Sequence, residues 1–181
     1  LACEVVTFTI DNDPANGVAE IHVKVPSVSS SSNTTIYVWY HKSGETQPAI
    51  DAVYGSENVW DSNFKMVQHM KDATTSTITD STSNDTDGTK KAANEPVEIA
   101  GQIGEGQDFT EDYISIPIKP SLNSFTISQW VKKDVIEASQ LIFDNGWWDG
   151  TKNIFLFIHT DDYFYTGVRD GATVIQIASP L

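Results

Sequence analysis

Polar and apolar residues alternate at period two over several stretches of the chain, as in β-strands that bury one face. Within Val18–Val25, Ile21 and Val23 alternate with Glu20 and His22. The same pattern, with enrichment in β-branched and aromatic residues, predicts further strands at residues 4–10, 34–40, 113–116, 125–130, 139–143, 153–159, 163–168 and 173–177.

Polar turns rich in Gly, Pro, Asn and Asp separate these segments, and no stretch has a convincing helical period. Strands at this regular spacing predict an all-β, antiparallel β-sandwich. Residues 72–95 are rich in Thr, Ser, Asn and Asp, and we interpret them either as a low-complexity linker or as an ordered loop.

Composition narrows the range of partners. The 181 residues carry 25 acidic and 11 basic side chains, for a formal net charge of −14. This argues against binding to nucleic-acid phosphates, and no apolar run is long enough to span a bilayer. With Cys3 as the single cysteine, no internal disulfide can form. Because Leu1 is not an initiator Met, we expect the sequence to be a piece of a longer chain, and acidic composition is compatible with an extracellular or cell-surface location.

Four segments carry a family resemblance. Gly104–Pro117 and Phe125–Lys132 resemble consecutive motifs of laminin-G-like domains, and Trp60–Met70 and Asp80–Thr89 resemble their entry strand and an ordered turn. The resemblance implies a concanavalin A-like jelly roll over residues 59–181, incomplete at its C-terminal end. That fold hosts lectins, glycosidases and adhesion modules, so it does not specify a ligand.

The N-terminal part resembles a different domain. Ala19–Ser27 and Thr35–Tyr40 are similar to the second half of a bacterial domain of unknown function that commonly precedes laminin-G-like domains. We therefore divide the chain into a segment 1–58 and a domain 59–181. Since both parts lack strands, we expect them to pack as one continuous sandwich, or to pair with a neighbouring chain by strand addition.

The loop Asp144–Gly150 is the candidate ligand site. One of its two adjacent tryptophans can be exposed, and an exposed indole beside carboxylate and amide groups suits sugar binding. The alternative is a hairpin tip with one buried Trp. The candidate ligand-binding residues are Asp144, Asn145, Trp147, Trp148 and Asp149.

Calcium is the one cofactor that the sequence suggests. Asp85 and Asp87 precede Gly88 in a pattern that approximates the start of a calcium loop. The alternative is an Asx-rich turn in which the carboxylates cap backbone amides. The four histidines share no metal-ligand spacing, so we interpret each as a surface or strand-face residue: His22, His41, His69 and His159.

Catalysis is not expected. Glycosidases of the resembled fold use a Glu-x-Asp-x-x-Glu-like strand, and no Glu in this chain has an Asp two residues later. The sequence therefore predicts a non-catalytic extracellular binding or adhesion module for carbohydrate or a protein surface. The alternatives are a structural subunit of a cell-surface or virion assembly, and a degenerate glycoside hydrolase-like enzyme.

Overall fold

The chain forms an all-β structure with antiparallel sheets, as the sequence predicts. The computed structural model describes residues 1–9, 17–39, 42–73, 76–93, 95–117, 124–134, 138–145, 152–170 and 172–180. It divides into two compact units, Leu1–Ile118 and Lys119–Leu181. Unit 1 runs across residue 58, and the predicted division into 1–58 and 59–181 stays a prediction.

Unit 1 contains short strands in three antiparallel groups. The strands are β1 (Cys3–Thr9), β2 (Val18–Val23), β3 (Thr77–Ile78), β4 (Gly88–Lys90), β5 (Val97–Ala100), β6 (Glu105–Asp108) and β7 (Ile114–Ser115). Strand β1 pairs with β2, and the ladder has an irregularity between Val5 and Thr7. The other groups are a three-stranded sheet of order β3-β4-β7 and a β5-β6 pair.

The segment 42–73 is anchored to β1 rather than forming a strand of its own. The Cys3 N–H donates to the Tyr54 carbonyl at 3.2 Å, and Lys71 Nζ donates to the Val6 carbonyl at 2.5 Å. Between these two anchors lie a 3-10 turn at Ser56–Asn58 and the buried Val59. These two hydrogen bonds hold the residues that follow Val59 close to the β1–β2 pair.

Unit 2 is a four-stranded antiparallel sheet formed by β8 (Gln140–Asp144), β9 (Lys152–Ile158), β10 (Tyr163–Asp170) and β11 (Thr173–Pro180). Their order in the sheet is β11-β10-β9-β8. Consecutive residues of β9 are buried, which shows that both faces of this strand are covered. Phe155, fully buried, lies opposite Gly167 in the ladder, where a Cβ would come within 2.6 Å of the Phe155 ring.

Two predicted strands are wrong. In the described parts of the predicted strands 34–40 and 125–130, the residues have no ladder partner, and Trp39 and Trp130 are 94% and 74% exposed. A period-two pattern fits a strand but does not supply the neighbour that makes a ladder. The period-two pattern and the family resemblance also predict that Phe109, Tyr113, Phe125, Ile127 and Trp130 contribute to the core or its rim. Ile127 is half-buried, but the other four are exposed, and in unit 2 the core centres on β9 instead.

No helix among the described residues is long and apolar enough to cross a membrane.

Candidate functional site

The β1–β2 pair presents three polar side chains on one face. Glu20 and His22 are two residues apart on β2, so their side chains point to the same side. Glu4 lies directly opposite His22 in the antiparallel register, which puts its side chain on that side as well. The strand pattern alone therefore brings two carboxylates and one imidazole together.

The segment after Val59 adds an imidazole and an indole. The His69 ring centroid lies 4.5 Å from that of His22, and the Trp60 ring lies 5.4 Å from His22. We call Glu4, Glu20, His22 and His69 the Glu/His cluster. Trp60 borders it, and the side chains of Glu4, Glu20 and His69 are only 11–13% exposed.

Two contacts at hydrogen-bond distance and one longer polar contact link the members of the cluster in a chain. His22 Nε2 lies 3.0 Å from Glu20 Oε1, and His69 Nδ1 lies 3.7 Å from the same oxygen. On the other side of the ring, His69 Nε2 lies 3.2 Å from Glu4 Oε2. His69 therefore stands between the two carboxylates, with one ring nitrogen toward each.

Glu4 is held as a carboxylate by its neighbours. Trp60 Nε1 donates to Glu4 Oε2 at 2.8 Å. Burial raises the pKa of Glu4, but hydrogen bonds from His69, Ser81 and Trp60 and the charge of His69 outweigh burial and leave that pKa below its ordinary value. The cluster thus contains a partly buried anion beside His69.

The Glu20 carboxylate has fewer hydrogen-bond partners than the Glu4 carboxylate. Its Oε2 atom is buried and has no hydrogen-bond partner in the described structure. Gly104, at φ +59°, lies against this carboxylate so closely that a Cβ there would come within 1.9 Å of Oε2. One donor atom each from Glu20, His22 and His69 lies within 4.8 Å of the others, an arrangement that can hold a metal ion or share protons.

The predicted sugar-binding residues are only partly described. Asn145 follows β8, and its Oδ1 accepts a hydrogen bond from the Ile154 N–H at 2.6 Å. Asn153 Nδ2 donates to Asp144 Oδ1 at 3.4 Å. Both contacts join β8 to β9. Trp147, Trp148 and Asp149 lie outside the described residues, so this site stays a prediction.

The predicted calcium residues lie in a turn organised by a different carboxylate. Asp80, 5% exposed, accepts hydrogen bonds from the backbone N–H groups of Val67 and Thr86, each at 2.9 Å. Asp87 Oδ1 accepts from the Asp80 N–H at 2.8 Å, and Asp85 is exposed with φ +50°. These contacts match the Asx-turn alternative, and calcium binding by Asp85 and Asp87 stays a prediction.

Unit 2 has an open cleft that the sequence did not indicate. Its volume is about 430 Å³, and the exposed Trp130 stands on its wall. The lining is mainly apolar and aromatic, with two polar side chains. The lining residues are Phe125, Ile127, Gln129, Trp130, Val131, Leu156, Phe164 and Thr166.

Sequence reasoning also missed the Glu/His cluster. His22 lies on the face of β2, as a strand-face residue should, but the spacing of the histidines did not indicate that the rings of His22 and His69, 47 positions apart from 22 to 69, would lie 4.5 Å apart. The one local signal was the Glu20-x-His22 spacing on a predicted strand. Nothing in the sequence pattern indicated that His69 would reach that face.

Comparison with known proteins finds a solved structure with a similar fold. No protein-family model and no curated protein matches the chain. The crystal structure of residues 221–444 of an S-layer domain-containing protein from Clostridium thermocellum is similar, with 22% identity and a TM-score of 0.52. The match covers 64% of this chain and 58% of that one. It supports the β-rich fold, and the laminin-G-like resemblance stays a prediction.

Proposed function

We propose that the chain is a non-catalytic binding module of a cell-surface protein, and that the cleft of unit 2 recognises carbohydrate. The observation that carries this proposal is Trp130, which is 74% exposed on the wall of that cleft. The cell-surface location draws support from the similar structure, which belongs to an S-layer domain-containing protein.

The chemistry of the cleft suits a sugar ring. An exposed indole offers a flat apolar face for the C–H face of a pyranose, and Phe125 extends that surface. Gln129 and Thr166 supply donors and acceptors for hydroxyl groups. A mainly apolar cleft with a few polar groups is the usual composition of a small-ligand site.

The absence of catalysis is part of the proposal. The sequence lacks the Glu-x-Asp-x-x-Glu strand by which glycosidases of the resembled fold bring two carboxylates to the scissile bond. We therefore expect binding without release of reducing sugar. Hydrolysis of any polysaccharide at a rate abolished by one Asp or Glu substitution would contradict this.

A glycan array followed by titration with the best ligand tests the binding. Trp130→Ala is expected to weaken binding by about 5- to 150-fold, equivalent to roughly 1–3 kcal/mol for an aromatic platform. Trp39→Ala is the matched control, because Trp39 is 94% exposed in unit 1. Trp147→Ala and Trp148→Ala test the predicted loop. If only these two variants lose affinity for the glycan, the sugar binds at that loop instead. The proposal fails if no glycan binds.

A second candidate function is a structural subunit of a surface assembly. Strand β11 is at the edge of the unit 2 sheet in the described structure, and every residue of it is exposed. Ile175 and Ile177, 66% and 70% exposed, point to the same side of this edge. An apolar edge strand is a template for adding a strand from a neighbouring chain.

Light scattering across a concentration series tests the assembly. A charge on an edge strand opposes edge-to-edge pairing, so Ile177→Lys is expected to reduce the average mass. Val28→Lys is the control, because Val28 is 73% exposed outside any strand. A wild-type protein that stays monomeric at every concentration would exclude self-association by this edge.

A further inference from the structure

We propose that Glu20, His22 and His69 bind a first-row transition-metal dication, with zinc as the reference ion. The site lies within unit 1 and is independent of the carbohydrate proposal for unit 2. It would be formed by the E-x-H pair of β2 and by His69 from the segment anchored to β1.

The spacing of the donor atoms fits a tetrahedral ion. Two ligands about 2.0–2.1 Å from a tetrahedral zinc lie roughly 3.3 Å apart. Glu20 Oε1 lies 3.0 Å from His22 Nε2 and 3.7 Å from His69 Nδ1, so the two distances bracket that value. One donor atom from each of the three residues lies within 4.8 Å of the other two, so rotations of the two rings would bring all three donors around one ion.

Glu4 orients His69 for this role. His69 Nε2 lies 3.2 Å from Glu4 Oε2, and in the tautomer that carries the proton on Nε2 it donates to that oxygen and leaves the Nδ1 lone pair facing Glu20. A metal-bound histidine usually donates its other ring N–H to a carboxylate in this way, which fixes the tautomer and raises the basicity of the ligand. Trp60 in turn fixes Glu4 through the 2.8 Å hydrogen bond.

The Glu20 carboxylate is poorly paired when no cation is bound. Its side chain is 11% exposed, and its Oε2 atom is buried without a hydrogen-bond partner in the described structure. A carboxylate withdrawn from water and poorly paired is unfavourable. Oε1 is the oxygen that faces both histidines, so a cation bound there would offset the charge of the carboxylate, although Oε2 itself lies against Gly104. In neutral His69, the Nδ1 lone pair also faces a carboxylate oxygen, so two acceptors oppose each other until a cation lies between them.

The donor set selects the class of metal. Imidazole nitrogen is a ligand for zinc, copper, nickel and iron, whereas calcium takes six to eight oxygen atoms. Two histidines and one glutamate provide three ligands, and a zinc ion so bound keeps a fourth position for water or a group from a partner. His22 is 29% exposed, so solvent reaches this end of the site.

Isothermal titration of the full chain with zinc, calcium and magnesium tests the proposal. Zinc is expected to bind at a 1:1 ratio and to raise the melting temperature, whereas calcium and magnesium should not reproduce this at the cluster. His22→Ala and His69→Ala should each weaken zinc binding by at least about 100-fold, and Glu4→Gln by about tenfold, within the range of a partner that only orients a ligand.

His159→Ala is the matched control. His159 also lies beside a carboxylate, with its Nδ1 3.3 Å from Asp161 Oδ1, but it is in unit 2. Its loss should leave zinc affinity unchanged. Circular dichroism checks the fold of every variant, and His22→Gln and His69→Gln replace any Ala variant that does not fold.

Imidazole NMR of the wild-type protein gives a readout that needs no variant. One equivalent of zinc should shift the ring nitrogen signals of His22 and His69 and leave those of His41 and His159 in place. The proposal is overturned if no 1:1 zinc complex forms, if binding survives the loss of either histidine, or if the shifted signals belong to other histidines. In those cases the Glu/His cluster is a hydrogen-bonded network rather than a metal site.

Discussion

The Cα of Gly104 and the carboxylate of Glu20 occupy adjoining space in unit 1. Gly104 has φ +59°, and a Cβ added there would lie 1.9 Å from Glu20 Oε2 and 2.8 Å from Cδ. A side chain at this position would therefore meet both a backbone penalty and the carboxylate itself. The glycine leaves room for the Glu20 side chain to reach the Glu/His cluster.

Gly104→Ala is expected to lower the free energy of unfolding by at least about 2 kcal/mol, because the left-handed backbone costs about 1–2 kcal/mol for a residue with a Cβ and the Glu20 carboxylate must also move. Urea denaturation measures the change. Gly44→Ala isolates the backbone effect, since Gly44 has φ +80° and open space around its Cβ position. Equal losses in both variants would show that Glu20 does not press on residue 104.

Long, regular strands could be predicted from the sequence, and of the short ones only β7 (Ile114–Ser115) was predicted. β9 and β10 combine a period-two or continuous apolar pattern with seven or eight residues, so their prediction is confirmed. β3 and β4 have two and three residues, and their polar composition resembles that of a loop. The pattern around Trp39 was strand-like, but pattern does not determine whether a partner strand is present.

The candidate site could be predicted only to the extent that it depends on local periodicity. Period two places Glu20 and His22 on one face of β2. The position of Glu4 opposite His22 depends on the strand register, which an irregularity between Val5 and Thr7 shifts within β1. His69 reaches this face because its segment is anchored to β1 by hydrogen bonds such as the one from the Cys3 N–H to the Tyr54 carbonyl. The spacing of residue types in the sequence does not predict such a hydrogen bond.

The indole N–H of Trp60 should contribute measurably to stability. Trp60→Phe keeps an aromatic ring but removes the donor to Glu4, leaving a partly buried carboxylate oxygen with one partner fewer. A hydrogen bond to a charged group contributes about 1.5–3 kcal/mol, so we expect a loss at the lower end of that range. Chemical denaturation measures it.

Trp39→Phe is the control for the indole substitution, because Trp39 is 94% exposed and its change should be within about 0.5 kcal/mol. If the two variants are equally stable, the contact between Trp60 and Glu4 does not form in solution.

Phe155 is the largest fully buried side chain of the described structure, so its truncation should be the most damaging core change in unit 2. Phe155→Ala is expected to lower the free energy of unfolding by about 3–5 kcal/mol, through lost burial and the cavity left beside Gly167. Leu141→Ala in the neighbouring β8 is the control, since Leu141 is 61% exposed. Thermal unfolding followed by circular dichroism compares them. A small effect of Phe155→Ala would mean that the β9 core is not formed as described.

The hydrogen bond between Tyr165 and Asp161 should shift the titration of both groups. The Tyr165 hydroxyl donates to Asp161 Oδ2 at 2.9 Å, and the Tyr163 N–H donates to Oδ1 at 3.1 Å. Burial raises the pKa of Asp161, but these two hydrogen bonds and the neighbouring His159 outweigh it and leave that pKa below its ordinary value. The same hydrogen bond, followed by burial and the Asp161 charge, raises the pKa of Tyr165.

The sign of each shift fixes its effect on stability. A lowered pKa in the folded state means that Asp161 stabilises the fold above the unfolded-state value of about 3.9, and that this contribution is lost as the pH falls through the folded pKa. The raised pKa of Tyr165 acts in the opposite direction: its contribution is present below about 10 and is lost as the pH rises through the folded pKa. Asp161→Asn should therefore be less stable than wild type at neutral pH and indistinguishable from it in strong acid.

An NMR titration of the Asp161 carboxyl carbon checks the cause. Tyr165→Phe is expected to raise the pKa of Asp161 toward its ordinary value, because the variant removes the hydroxyl donor and keeps the ring that stacks on Phe157. Tyr163→Phe is the matched control, since it removes a phenol nearby but keeps the backbone N–H that bonds Asp161. If Tyr165→Phe leaves the pKa of Asp161 where it was, or if Tyr163→Phe raises it as much, the Tyr165 hydroxyl is not the donor that holds this carboxylate.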